Sequence, residues 1–175
     1  MSAPEFSRPQ RLDQIGAGDN QIAIAADAAE RAALAKRFGL EAIDSLESKF
    51  TLLKDSTGIV ARGHLSAQVT QSCSVTGDPL PVTVAEDFAI RFLPEPDAEL
   101  PDEIELSEDE CDTVFYTGSA IDLGEAAAET LLLALDPFPR GPNAAAALKA
   151  AGVISEDEVE PLGALAGLKD LFKKH

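Results

Sequence analysis

One segment in the second half of this 175-residue chain carries a complete set of helix signals. Asp122 suits the N-cap, and Glu125 three residues later suits a capping box near the positive end of the helix dipole. Pro137 and Pro139 prevent the helix from continuing, so the chain must leave it in an extended Pro-Phe-Pro hook, residues 137–139. The apolar residues between these signals recur at helical spacing and predict one buried stripe: Leu123, Ala127, Leu131, Ala134 and Leu135.

Alternation of apolar and polar residues predicts a sheet for most of the first half. Residues 61–69 alternate strictly, and residues 43–54 and 81–93 carry the same pattern. Short turn sequences rich in Asp, Gly and Pro separate the three segments. Residues 21–26 and 113–116 are shorter segments that also suit strands. Consecutive strands with short turns form an antiparallel meander, of which one face is buried.

A second helix is predicted over residues 28–38. Asp27 suits its N-cap, Glu30 lies at the capping-box offset, and Gly39 suits its C-terminal end. The face expected to pack closely against the sheet consists of Ala29, Ala32, Ala33, Lys36 and Arg37.

The chain reads as one domain, residues 1–175, because no convincing linker divides it. Residues 1–19 are polar and are expected to be loosely ordered. Residues 95–112 hold ten acids and no base, which predicts a long acidic loop. Short helices are predicted over residues 143–151, capped by Asn143, and over residues 161–175. We therefore expect an α+β domain, an antiparallel meander covered on one face by helices.

The chain has 31 acidic residues against 14 lysines and arginines, a formal net charge of −17. Such a surface repels phosphate backbones, because affinity for nucleic acid comes mainly from Lys and Arg that displace counterions. A basic protein is therefore the expected partner, and direct binding of nucleic acid is not expected; a purely solubilising role is the alternative. No apolar run could span a bilayer, and residues 1–9 lack a signal core, so we expect a cytoplasmic protein.

Residues that could catalyse a reaction or hold a metal are sparse. The histidines are His64, on the polar face of a predicted strand, and the last residue, His175. Cys73 and Cys111 lie far apart, and Thr76 stands where a Cys-x-x-Cys pair would have its second thiol. No glycine motif for phosphate binding is present. We expect no cofactor, no metal site and no enzymatic activity.

Glu125 and Glu129 lie one helical turn apart and are the best candidates for chemistry. Two carboxylates at this spacing serve as an acid–base pair if their surroundings separate their pKa values. A solvated helix face that meets a partner explains the same pair without chemistry. An enzyme built on them requires a cleft and a perturbed pKa.

The pattern as a whole resembles a family. A cysteine turn at residues 73–76, then residues 121–125, Glu129 and the leucine-rich run 131–139, is similar to the YceD family of bacterial proteins over roughly residues 20–142. The resemblance implies a non-enzymatic factor associated with accumulation of the large-subunit ribosomal RNA. The chain departs from the family's pattern at Thr76, where a second cysteine stands in other members, and has no cysteine after the hook.

The resemblance and the charge together indicate which residues meet a partner. The candidates for a partner-facing surface are Asp122, Glu125, Glu129 and Arg140, with Leu123 in the core. The expected partner is a basic ribosomal protein or a ribosome assembly factor. Two alternatives are an acidic module that mimics nucleic-acid charge without any link to ribosomes, and an enzyme that depends on the two glutamates.

Overall fold

Long antiparallel strands dominate the structure, a computed structural model that describes residues 4–16, 18–95 and 112–153. The strands are β1 (Pro9–Arg11), β2 (Asn20–Ala25), β3 (Ala42–Lys54), β4 (Ile59–Ser72), β5 (Pro79–Pro94), β6 (Asp112–Tyr116) and β7 (Ala120–Asp122). The helices are α1 (Ala28–Phe38), α2 (Leu123–Ala134) and α3 (Ala144–Ala150). The predicted helix 161–175 and all but the two ends of the predicted acidic loop lie outside the described residues.

Among the described residues, the main sheet has five strands in the order β2-β3-β4-β5-β6. The first four pair antiparallel between neighbours in sequence, which confirms the meander. The strand β6 pairs parallel with the end of β5, from Ile90 opposite Asp112 to Pro94 opposite Tyr116. Parallel pairing requires a connection of a dozen or more residues, and the stretch between β5 and β6 is long enough.

The core lies between one face of this sheet and the helices. The alternation of β4 places Ala61, Leu65, Ala67 and Val69 in that core, as predicted. Each fully buried Leu or Phe contributes roughly 1.5–3 kcal/mol of transfer free energy. The largest side chains that are almost completely buried include Phe6, Leu34, Leu46, Phe50, Leu52, Ile59, Ile121, Leu123 and Leu131.

The N-terminal segment corrects the prediction that residues 1–19 are loosely ordered. Over residues 4–16 the chain forms β1, which pairs antiparallel with β7, and a single 3-10 turn. Phe6 is completely buried, and Ile15 is 4% exposed. Two isolated apolar side chains thus attach a polar segment to the core.

Helix α1 has the predicted ends and a different packed face. Asp27 accepts hydrogen bonds from the backbone N–H groups of its first turn, Glu30 completes the capping box, and Gly39 takes the left-handed conformation at φ 66°. The buried residues are Leu34 and Ala35. Of the predicted face, Ala29, Ala32 and Lys36 are exposed, because the larger apolar side chain takes the core position.

Within the described ranges, no helix combines the length and the apolar character that crossing a bilayer requires.

Candidate functional site

The carboxylate of Asp122 joins the start of α2 to the N-terminal segment. One oxygen accepts hydrogen bonds from the backbone N–H groups of Gly124 at 2.9 Å, Glu125 at 3.2 Å and Arg8 at 2.8 Å. The other oxygen accepts a hydrogen bond from the Ser7 hydroxyl. The predicted N-cap is confirmed, and protein donors already occupy both oxygens of a residue that was expected to face a partner.

Position 124 requires glycine, because the start of α2 and the N-terminal segment approach each other too closely for a side chain. A Cβ atom at this position would collide with the backbone oxygen of Phe6 and would lie 2.9 Å from the backbone nitrogen of Arg8. The contact is continued by Leu123, whose N–H donates to the Arg8 carbonyl at 3.1 Å. The N-terminal end of α2 is therefore a structural junction.

Glu125 forms a two-pronged ion pair with Arg37 of α1. The two guanidinium nitrogens lie 2.6 and 3.0 Å from its carboxylate oxygens, and Arg37 also donates to Glu5 at 3.1 Å. The hydrogen bond with Glu125 raises the pKa of Arg37. The predicted capping box at Asp122 therefore lacks its second half among the described contacts, because the Glu125 side chain points to Arg37 instead.

Glu129 lies one turn further along α2 and is exposed. It lines a shallow cavity of about 260 Å³ together with Glu125 and Phe92. Partial burial of its carboxyl raises the pKa of Glu129, the negative charge of Glu125 raises it further, and Arg37 opposes both. The two glutamates thus have different surroundings, but the carboxylate of Glu125 is already paired with Arg37.

The C-terminal end of α2 exposes apolar side chains. The predicted stripe is confirmed at Leu123, Ala127, Leu131 and Leu135, whereas Ala134 is exposed. Leu132 is 46% exposed and Leu133 is 79% exposed, and Phe138 of the hook is 72% exposed. Three large apolar side chains within the seven residues 132–138 are therefore exposed to water, which is unfavourable unless the surface binds something.

The hook packs on the loop between β4 and β5. The backbone N–H of Ser74 donates to the Pro139 carbonyl at 2.8 Å, and the Ser74 hydroxyl donates to it at 3.0 Å. The Gln71 side chain donates to the Asp136 carbonyl at 2.9 Å. The two segments that carry the family resemblance are therefore in direct contact in space.

Cys73 lies buried at the centre of this contact. Its sulfur accepts a hydrogen bond from the Gly141 N–H at 3.3 Å. That bond, followed by hydrogen bonds from Thr76, lowers the pKa of the Cys73 thiol from 9.0 to about 7. Thr76, at the position of the missing cysteine, therefore belongs to the surroundings that favour the thiolate. No group of three or more His, Cys, Asp or Glu side chains with the geometry of a metal site occurs within the described ranges.

The last predicted candidate, Arg140, is exposed beyond the hook. The neighbouring helix α3 confirms the predicted helix at 143–151. Asn143 stands at its N-cap without a capping hydrogen bond, because its side-chain amide donates to Asp78 of the β4–β5 loop at 3.2 Å.

Two grooves flank the exposed end of α2. The first, here called the hook groove, has a volume of about 440 Å³; its apolar lining residues are Phe38, Leu40, Leu132, Leu135, Pro137 and Pro139. The second, here called the acid groove, has a volume of about 280 Å³ between α2 and β5. Its lining includes Glu86, Asp87 and Asp112 beside Phe88, Leu133 and Ala134.

Sequence patterns did not predict either groove. The helical stripe accounts for the buried leucines of α2, and the run 131–133 contains two more leucines than the stripe uses. These two extra leucines were the available sequence signal for an exposed apolar surface, since the second face of an amphipathic helix is normally polar. Leu132 and Leu133 are the functional candidates that the stripe leaves out.

These features define a small α+β domain in which a proline hook closes onto a loop of the sheet. The chain belongs to the YceD family, since the family model described as "Large ribosomal RNA subunit accumulation protein YceD" matches residues 61–172, well over half of its length. No curated protein and no solved structure matches. The match includes the Cys73 loop, α2, the hook and the whole lining of the acid groove, whereas β1–β3, α1 and the side of the hook groove formed by residues 38–40 lie outside it. It begins later and ends later than the resemblance over residues 20–142 predicted.

Proposed function

We propose that this chain is a non-enzymatic, cytoplasmic factor in biogenesis of the large ribosomal subunit, which supports accumulation of its RNA by contacting a protein. The single observation that carries the proposal is the family match, whose description names that accumulation. The net charge of −17 supports a basic ribosomal protein or assembly factor as the partner, because complementary charge speeds encounter and excludes wrong partners.

The acid groove supplies the surface that best fits such a partner. Glu86, Asp87 and Asp112 line it without a Lys or Arg, and Leu133 lies beside them as the most exposed large apolar residue of the described chain. A segment with lysines or arginines around an apolar side chain complements both features. Aromatic and aliphatic anchors with a charged rim are the usual composition of an interface.

The four predicted partner-facing residues contribute unequally to this proposal. Glu129 and Arg140 are exposed and remain available to a partner. Asp122 and Glu125 are held by contacts within the chain, so we expect them to act on stability more than on binding.

The raised pKa of Glu129 favours one second candidate, an enzyme that uses this carboxyl beside its shallow cavity. Glu129→Gln separates the two candidates. An enzyme loses its function in cells with this substitution, whereas the proposed binding factor retains most of it.

The test of the proposed function is deletion of the gene, with measurement of large-subunit RNA and of co-sedimentation of the chain with large-subunit precursors. We expect the RNA to fall and the wild-type chain to restore it. A variant with Glu86→Gln, Asp87→Asn and Asp112→Asn should restore it poorly. The control neutralises the same number of exposed acids elsewhere: Asp19→Asn, Asp44→Asn and Glu47→Gln.

Normal large-subunit RNA after deletion, together with absence of the chain from precursors, contradicts the proposal. Binding of a basic protein without any change in ribosomal RNA identifies the acidic mimic instead. Equal effects of the two triple variants mean that overall charge, not the acid groove, recruits the partner.

A further inference from the structure

Apolar side chains form most of the lining of the hook groove, beside the polar residues Gln71, Ser72, Ser74 and Asp136, and no described residue fills it. Leu132 and Leu135 form one wall, and Phe38 and Leu40 from the end of α1 form another. Pro137 and Pro139 hold the groove open because the hook is rigid and is hydrogen-bonded to Ser74. A groove of this volume accommodates several aliphatic side chains.

The chain itself continues for 22 residues beyond the described part, and these residues have the matching composition. Apolar residues recur near helical spacing at Leu162, Leu165, Leu168, Leu171 and Phe172. The family match also continues to residue 172, so this stretch belongs to the same domain family as the groove.

The described chain ends close enough to the groove for this stretch to reach it. Helix α3 starts three residues after Gly141, which contacts Cys73, and its seven residues span about 10 Å. Gly152, at φ 79°, and Val153 end helix α3 in a Schellman motif, in which the Val153 N–H donates to the Leu148 carbonyl. The eight residues 154–161 span up to about 26 Å when extended, more than twice the length of α3.

Charge also favours this occupant. Residues 161–175 carry three lysines and one aspartate, whereas the rest of the chain is strongly acidic. Asp136 lines the hook groove, and Glu41 contacts Ser72 of its lining at 2.6 Å. None of the residues that line it is Lys or Arg.

We propose that residues 162–175 of the same chain occupy the hook groove, with their leucines against Leu132 and Leu135 and their lysines near Asp136 and Glu41. The acid groove, on the other side of α2, then remains the open surface. The two exposed leucines of α2 thereby have different roles: Leu132 holds the chain's own segment, and Leu133 meets a partner.

A nitroxide label on Ala166→Cys tests this inference in the full-length chain. Cys111→Ser removes the other native thiol, and burial protects Cys73 from the reagent. We expect the label to abolish most of the methyl NMR intensity of Leu132 and Leu135 and to leave Ala85, on the open face of the sheet, unchanged. Unchanged signals at Leu132 and Leu135 overturn the inference.

Matched leucine variants identify the contact. In the labelled chain, Leu132→Asp and Leu168→Asp should each restore the Leu135 signal at least threefold, and Leu133→Asp should not. If Leu133→Asp alone restores the Leu135 signal, the inference is overturned. It is also overturned if the Leu135 signal broadens only in a mixed sample, by a label on one copy acting on an unlabelled copy, because a second copy then occupies the groove. None of these readouts depends on the ribosome, so they are independent of the proposed function.

Discussion

The two ends of α2 differ in whether their side chains find partners within the chain or face solvent. At the N-terminal end, Asp122 and Glu125 accept hydrogen bonds from Ser7, Arg8 and Arg37 within the chain. At the C-terminal end, three large apolar residues face solvent beside two grooves: Leu132, Leu133 and Phe138.

The difference shows that residue type alone is a poor guide to a binding surface. The sequence predicts Asp122 and Glu125 as partner-facing residues because charged side chains are usually exposed. Three of the contacts to Asp122 and Glu125 come from residues more than 80 positions away, and those contacts convert the acids into structural parts. The leucines, which the helical stripe assigns to a core, are left exposed at the end where the chain turns into the hook.

The largest effect is expected at Gly124. Gly124→Ala forces the N-terminal segment away from α2, because the added methyl group collides with the backbone of Phe6. We expect a loss of about 2–3 kcal/mol in the free energy of unfolding, measured with urea. Gly16→Ala is the control, since its Cβ would meet only Asn20 at 3.8 Å. Equal stability of the two variants would show that β1 is not held against α2.

Asp122→Ala is expected to cost about 2 kcal/mol, because it removes the N-cap and the acceptor for Ser7 and Arg8 together. Asp122→Asn should cost less than half as much, since asparagine also caps helices well. Thermal unfolding of the three proteins measures both. If Asp122→Ala is as stable as the wild type, the junction is not structural and the residue is free to serve a partner.

The pair of Arg37 and Glu125 is expected to contribute only about 0.5–1 kcal/mol, because both side chains are partly exposed and solvent screens them. A double-mutant cycle with Arg37→Gln and Glu125→Gln measures the coupling energy, which should shrink as salt is added. A coupling near zero at low salt would mean that Glu125 is available for other contacts.

At pH 7 the smallest effect on stability is expected at Cys73, on the hook side, because most of its contribution appears only at higher pH. Its thiol pKa of about 7 lies below the unfolded value of 9.0, so the folded chain binds fewer protons between these two pH values. The contribution of Cys73 to stability is therefore complete above pH 9 and is lost as the pH falls through 7.

Ultraviolet absorbance of the thiolate in the Cys111→Ser chain measures this titration. Thr76→Val should move its midpoint upward without returning it to 9.0, since the Gly141 N–H bond remains. A midpoint near 9 in the parent chain would show that the hook does not contact the sulfur.

Local patterns predicted the elements whose neighbours lie close in sequence. The alternation of β4 and the caps at Asp27 and Asp122 depend on residues within a few positions, and the structure confirms them. The parallel pairing of β6 and the attachment of Phe6 depend on distant segments, and no local pattern encodes them. The candidate site follows the same rule, because Arg37 decides the role of Glu125 from 88 residues away.

Co-sedimentation with large-subunit precursors, compared between Leu133→Asp and Glu125→Gln, tests the contrast between the two ends of α2 most directly. We expect Glu125→Gln to stay with the precursors at the wild-type level and Leu133→Asp to fall at least fivefold, while both variants remain folded. Loss of Glu125→Gln from the precursors while Leu133→Asp remains bound would contradict this expectation.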